Sequence, residues 1–380
     1  MAKFAPNGAS VRWFTVLALA ALVASGLSMA SEYSIVDLGT LGKPTQTRAS
    51  GLSSDGVVVG SSIPVATGRR GFVWDSVNGM RELPTLGGDY SWAYDVNDSG
   101  QMVGDSWLLG WSKGARAFLW DQSNPMEDLG TLGGKFSYGR GINNQGQVVG
   151  HSHIGRNLGV RAFLWDETNG LQDLGTLGGR DSWAKDINES GVVAGTSRIA
   201  NTQRRAALWD ETSGWTQIPV TPDTVGAHGM GLNEAEQAVG FLWGEDFTHA
   251  FVWDVTSGLT EIGTLGGNVS EGLGINSEGT IVGRSKQADG KYRAFIWDET
   301  NGLRNLNDLV DPGSGWTLIR ATRINDAGQI TGFGIVNGEQ HAYLLIPEGN
   351  EYGTTPELST WALLLCSAAA GVMLCRRRRG

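Results

Sequence analysis

Ala162, Phe163 and Leu164 are apolar at three consecutive positions and run into Trp165-Asp166. A strand with one wet face alternates apolar and polar residues. A run without alternation predicts a strand in a sheet covered on both faces. The pattern recurs down the chain, marked by Trp74-Asp75, Trp120-Asp121, Trp165-Asp166, Trp209-Asp210, Trp253-Asp254 and Trp297-Asp298, at intervals of 46, 45, 44, 44 and 44 residues. A fixed period of this size marks a repeat architecture.

Each period contains four strand-like pieces. The first ends in a turn such as Ile142-Asn-Asn-Gln-Gly146 or Ile187-Asn-Glu-Ser-Gly191. Asn opening a loop that closes on Gly suits a type I turn whose Gly takes φ > 0. The second strand follows at once, as in Gln147-Val-Val-Gly-His-Ser152. The third is the Ala-Phe-Leu-Trp-Asp piece. It turns over at Asn169-Gly170, Ser213-Gly214, Ser257-Gly258 or Asn301-Gly302, all hairpin signals. The fourth is Leu171 to Gly175, after which Thr-Leu-Gly-Gly leads to the next unit.

Four antiparallel strands in about 45 residues is the size of one propeller blade. The expected fold is therefore all-β, a seven-bladed β-propeller of four-stranded antiparallel blades, with a C-terminal apolar helix. First-strand turns close near Gly56, Gly100, Gly146, Gly191, Glu236, Gly279 and Gly328. The last unit, ending at Ile346, lacks a fourth strand, and the front has a surplus one at Tyr33 to Gly39. Pairing the two would close the ring and remove exposed sheet edges. A column of small residues, Ala49, Ala93, Gly139, Ala184, Gly229, Gly272 and Ala321, fits crowding near an axis.

The ends carry addresses. Residues 1–30 read as a signal peptide: Lys3 and Arg12, the apolar run Phe14 to Ala24, and small residues at Ser28-Met29-Ala30. Residues 31–347 form the propeller and 348–355 a polar linker. Residues 356–380 form a sorting and membrane segment: Pro356 and Glu357, an apolar run, then Arg376, Arg377, Arg378 and Arg379. Residues 359–375 would span about 26 Å as a helix, short for a hydrocarbon core of roughly 30 Å. The arginines should stay cytoplasmic and leave the repeats outside. Both cysteines, Cys366 and Cys375, lie in this tail. The repeats are thus held without disulfides and without a Cys nucleophile.

The formal net charge is −10. Setting aside Lys3, Arg12, Arg376 to Arg379 and Glu357 leaves 23 basic residues against 38 acidic, a charge of −15. Such a body argues against nucleic acid as a partner.

Two resemblances follow from these residues. His249-Ala-Phe251, followed by Val-Trp-Asp254, and the Arg-Ala-Phe versions elsewhere resemble the HAF-repeat family of extracellular repeats. That family implies no settled activity. The tail resembles the PEP-CTERM sorting signal, with Leu358 where the motif has its second Pro. Such tails imply an exopolysaccharide-producing Gram-negative bacterium, processing by an exosortase, and at least transient anchoring in the inner membrane.

No catalytic set emerges. Asp95 to Gly100 and Asp186 to Gly191 start like calcium loops, but Ser106 and Ser197 stand where a bidentate Glu is needed. His151 and His153 share a strand face without an identifiable third metal ligand. No Gly-x-Ser-x-Gly elbow occurs. The Asp after each Trp recurs too often for a catalyst and suits a turn. No cofactor or metal is implied.

Function is better sought where the units differ. Two columns on the loop face vary. One precedes the small residue: Arg48, Trp92, Tyr138, Trp183, His228, Glu271 and Arg320. The other follows the second-strand Gly and supplies Asp105, His151 and Arg284, besides Ser61, Thr196, Phe241 and Phe333. The first column, with Asp105, His151 and Arg284, forms the candidate ligand-binding set, suited to a carbohydrate or protein ligand. The expected function is an exported, non-enzymatic binding protein or one associated with the exopolysaccharide matrix. The alternative is a propeller lyase or hydrolase acting on polysaccharide.

Overall fold

The computed structural model describes residues 31–349, apart from 43, 65–67, 111–112, 156–157 and 201. The signal peptide, the sorting motif and the apolar C-terminal helix expected from the sequence lie outside the described residues. Among those described, no helix is long and apolar enough to cross a membrane.

The architecture is all-β. A four-stranded antiparallel unit runs in chain order through Pro44–Leu52, Val58–Pro64, Arg70–Asp75 and Gly79–Glu82. The same order returns in residues 87–128, 133–173, 178–217, 226–263 and 266–305, here called units 2 to 6. Unit 7 comprises Thr317–Ile324, Ile330–Val336 and Glu339–Pro347. Its fourth strand is the N-terminal segment Tyr33–Asp37. Tyr33 lies opposite Pro347, Ile35 opposite Leu345 and Asp37 opposite Tyr343, so the expected pairing of the front of the chain with its end is present. Single parallel bridges, Gln46 to Gln340 and Thr248 to Val269, link unit 7 to unit 1 and unit 5 to unit 6.

The core lies between successive units. Val103 and Ala117 of unit 2 pack with Ile142, Val148 and Phe163 of unit 3. Ala342 and Leu344 of unit 7 pack in the same way with Ala49, Val58 and Phe72 of unit 1. Both faces of each inner strand are therefore covered, which explains the unbroken Ala-Phe-Leu runs. Tyr33 completes the cluster of units 6 and 7 beside Leu306, Val310 and Tyr343.

One glycine in each second strand is demanded by close approach. A Cβ at Gly150 would sit 1.9 Å from the Tyr138 carbonyl oxygen and 2.9 Å from the Phe163 ring. The equivalent Gly104, Gly240, Gly283 and Gly332 meet the same carbonyl at 2.0 Å or less. In unit 4 the Phe is replaced by Ala207, and the Trp215 ring fills the space over Gly195. The small-residue column has a related cause. A Cβ at Gly229 would lie 2.5 Å from the oxygen of Gly195 in the preceding unit. Backbones of adjacent units touch here, so side chains larger than Ala do not fit.

The Asn turns form a second regular feature. Asn97 Nδ2 donates to the Asn143 carbonyl at 3.0 Å, Asn143 to that of Asn188 at 3.1 Å, and Asn188 to that of Asn233 at 3.4 Å. Asn233 continues to Asn276 at 3.0 Å and Asn276 to Asn325 at 3.5 Å. Asn325 donates to Ser53 of unit 1 at 3.0 Å. Each turn closes on a Gly with φ between 74° and 86°, except in unit 5, where Glu236 takes φ 59°. The Asp after each Trp caps the next hairpin: Asp166 Oδ1 accepts from Thr168 N at 2.9 Å and Asn169 N at 2.8 Å. These repeated residues are structural, as their repetition suggested.

Candidate binding site where the first strands converge

Every first strand is broken by a β-bulge just after its small residue, for example between Gly139 and Gly141 and between Ala184 and Asp186. A bulge adds one residue to a strand and re-aims its side chains. The added residues, Ser50, Tyr94, Arg140, Lys185, Met230, Leu273 and Thr322, come from all seven units, and all line one pocket of about 330 Å³. Arg48, Trp92, Arg320, Arg323 and Phe333 complete most of its wall.

Of the ten residues picked from the sequence, three thus line this pocket: Arg48, Trp92 and Arg320. The register explains where the others go. The two variable columns are direct cross-strand partners: Trp92 faces Asp105, Tyr138 faces His151, Glu271 faces Arg284, and Arg320 faces Phe333. Glu271 holds Arg284 in a two-pronged ion pair at 2.6 and 2.9 Å. Tyr138 stacks on His151 with centroids 4.9 Å apart. His228 bonds Thr196 through Nδ1 at 2.9 Å and stacks on Trp243. Trp183 lies under the Arg204 guanidinium at 5.2 Å. His153 packs on Phe136, with ring centroids 5.2 Å apart.

The bulge column was missed because nothing in the residue string announces a bulge. Its one trace is the cationic pair Arg140 and Lys185, three residues before the turn Asn, where other units carry Ser, Tyr, Met, Leu or Thr.

The pocket is strongly basic in an acidic protein. Arg48, Arg140, Lys185, Arg320 and Arg323 line it, and no carboxylate does. Arg323 is engaged. It approaches half-buried Asp186 at 3.5 Å and buried Asp95 at 3.9 Å, and these two acids also accept from Leu232 N and Ile142 N respectively. Burial pushes Asp95 up to about 7 against the pull of Arg323. The other four cations have no carboxylate within ion-pair distance among the described residues. Burial, with Arg140, Arg320 and Arg323 nearby, pulls Lys185 down to about 7. Burial, then Arg284, holds Arg320 down at about 10. Asp105 lies behind this wall, and burial raises it to about 6 although Arg140 and Arg69 draw it down.

The aromatic faces are already used. The Arg69 guanidinium lies 3.9 Å from the Trp92 ring centroid, and Trp92 stacks at 14° with Tyr94. Arg140 lies 3.7 Å from the centroid of Tyr94. Cation–π contacts of this kind fix the guanidinium planes.

No family model matches the chain, and no curated protein matches it. Among solved structures, a puromycin-hydrolyzing peptidase of Mycobacterium tuberculosis aligns at a TM-score of 0.53 and 11% identity, covering 85% of this chain and 55% of that one. A putative TolB of Agrobacterium tumefaciens aligns at 0.47 and 13%, covering 71% and 98%. The BP39L lectin of Burkholderia pseudomallei aligns at 0.45 and 9%, covering 84% and 97%. At such identities the likeness concerns the fold alone, and that fold is of β-propeller type.

Proposed function

We propose that the seven units are the blades of a closed seven-bladed propeller and that the protein is an exported, non-enzymatic binding module. The closure reading is supported by the pairing of Tyr33–Asp37 with the last strand and by the Asn325 bond to Ser53. The binding reading rests on one observation. The residues that differ most between units, the bulge column, gather around a single pocket of about 330 Å³, within the usual range for ligand sites. Regular positions build the wheel, and irregular ones gather at one place on it.

Membership of the HAF-repeat family, export through residues 1–30 and processing at the Pro356-Glu357 tail belong to the same reading. They place the domain at the surface of a bacterium that makes exopolysaccharide. The ligand would then come from the surrounding matrix. A glycan and peptide array, read alongside mass spectrometry of the incubated glycans, tests this. Retention of intact ligands without new products is the expected result. Release of shortened or unsaturated sugars would contradict it and favour a polysaccharide lyase or hydrolase.

A further inference from the structure

We propose that the pocket takes a small polyanion, whose carboxylate, sulfate or phosphate oxygens are held by Arg48, Arg140, Lys185 and Arg320. The inference rests on the binding reading above and narrows it to oxyanion chemistry.

The first argument is the missing counter-charge. Burying a charge is costly unless it is paired. Elsewhere in this protein several such charges are paired, Glu271 with Arg284, Arg323 with Asp186 and Asp95, Arg198 with Asp181, and buried Arg205, without a carboxylate, donates to the Arg204 and Val225 carbonyls and to Gln203 Oε1. At the pocket four cations stand together, none with a carboxylate partner among the described residues. The Lys185 ammonium has no hydrogen-bond or ion-pair partner among the described residues. Arg48 reaches only Gln46 Oε1, at 3.4 Å, Arg140 lies against the Tyr94 and Tyr138 rings, and the Arg320 guanidinium has no ion pair among the described residues. Four like charges face one space, and an oxyanion placed there would satisfy several at once through charge-assisted bonds.

The second argument is what the site lacks for a neutral sugar. Neutral rings need free aromatic faces and carboxylate or amide acceptors for hydroxyls. Trp92 and Tyr94 give their faces to guanidinium groups, and no carboxylate lines the wall. The volume is about that of eleven waters at roughly 30 Å³ each, enough for one sugar-sized acid or the end of a longer chain. A local positive field in a chain of net charge −10 also favours anion entry there over the rest of the surface.

Calorimetric titration of the full-length protein tests this with four probes: inorganic phosphate, citrate, a glucuronate-containing oligosaccharide and a neutral oligosaccharide of equal length. At least one anion is expected to bind, weakening as salt rises, while the neutral sugar does not. Binding by phosphate or citrate alone points to a free small anion, and binding by the glucuronate chain to an acidic glycan. Arg320→Met and Arg140→Met should each weaken the bound anion about tenfold or more. Arg320→Lys, which keeps the charge, should lose less, and exposed Lys291→Gln should change nothing. Melting temperatures of all variants exclude loss of fold as the cause. Equal binding of neutral and acidic chains, untouched by the arginine substitutions, would overturn the inference yet leave the binding module standing. Failure of every anion would overturn it as well, with the glycan and peptide array deciding the broader reading independently.

Discussion

At the Asn turns six of seven units do the same thing, while two or three residues earlier, at the bulges, almost every unit does something different. Asn97, Asn143, Asn188, Asn233, Asn276 and Asn325 each donate to the backbone of the next unit. Ser50, Tyr94, Arg140, Lys185, Met230, Leu273 and Thr322 share a backbone position and little chemistry. The same strands thus carry a region where selection for assembly fixes the residue and a region where it does not. Sequence regularity is a sign of structure in this fold, and the departures from it are where chemistry concentrates.

The largest expected effect comes from removing the N-terminal strand that pairs with the last one. Deleting residues 31–39 removes the outer strand of the last unit and takes Tyr33 and Leu38 out of two core clusters. Each large buried side chain contributes about 1.5–3 kcal/mol, so with the lost strand pairing the deficit approaches a typical margin of about 5–15 kcal/mol. Size-exclusion chromatography should show aggregate, whereas a soluble monomer with unchanged melting temperature would refute closure.

Next comes a break within the series of amide hydrogen bonds that runs from Asn97 to Ser53. Asn143→Ala removes one of two donors to the Asn188 carbonyl, which keeps Gly191 N, and leaves the Gln147 N–H without its acceptor. It should cost about 2–4 kcal/mol in denaturant unfolding and leave anion affinity unchanged.

The pocket should respond with the opposite sign. Lys185 has a folded pKa of about 7, below its ordinary 10.5. Between those values the unfolded chain binds more protons, so stability rises with pH across that window. Below about pH 7 the full penalty is present. Lys185→Met should flatten that rise and stabilise the ligand-free protein by about 1–3 kcal/mol at neutral pH. A destabilised Lys185→Met protein would mean that the ammonium is satisfied without a ligand.

The smallest effects repair irregularities of the repeat. Ser53 is the one turn residue without a side-chain amide to reach the next unit, and Ser53→Asn should add about 0.5–1 kcal/mol by extending the series to Asn97. Glu236→Gly should add about as much by relieving a left-handed backbone. Thermal melts detect both.

Much of the repeated four-stranded unit was legible because its causes are local and repeated. The turn Asn and Gly, the second-strand Gly and the Ala-Phe runs each recur at a fixed spacing. The displaced strand could be inferred from counting, since an unpaired strand needs a partner. The site was only partly legible. Arg48, Trp92 and Arg320 stood out as variable residues beside an invariant small one. Arg140 and Lys185 did not, because strict alternation assigns a strand residue to one face and a bulge changes that assignment. Nor did the string reveal that Glu271 and Arg284, or Tyr138 and His151, would satisfy each other across the strands.

The most direct test of the separation between wheel and pocket is a paired measurement of anion affinity and melting temperature in Arg320→Met and Asn143→Ala. The account predicts a crossed result: Arg320→Met loses affinity about tenfold or more with its melting temperature kept or raised, and Asn143→Ala melts earlier with its affinity intact. If both properties fall together in both variants, repeated and variable positions do not divide the labour, and the account is wrong.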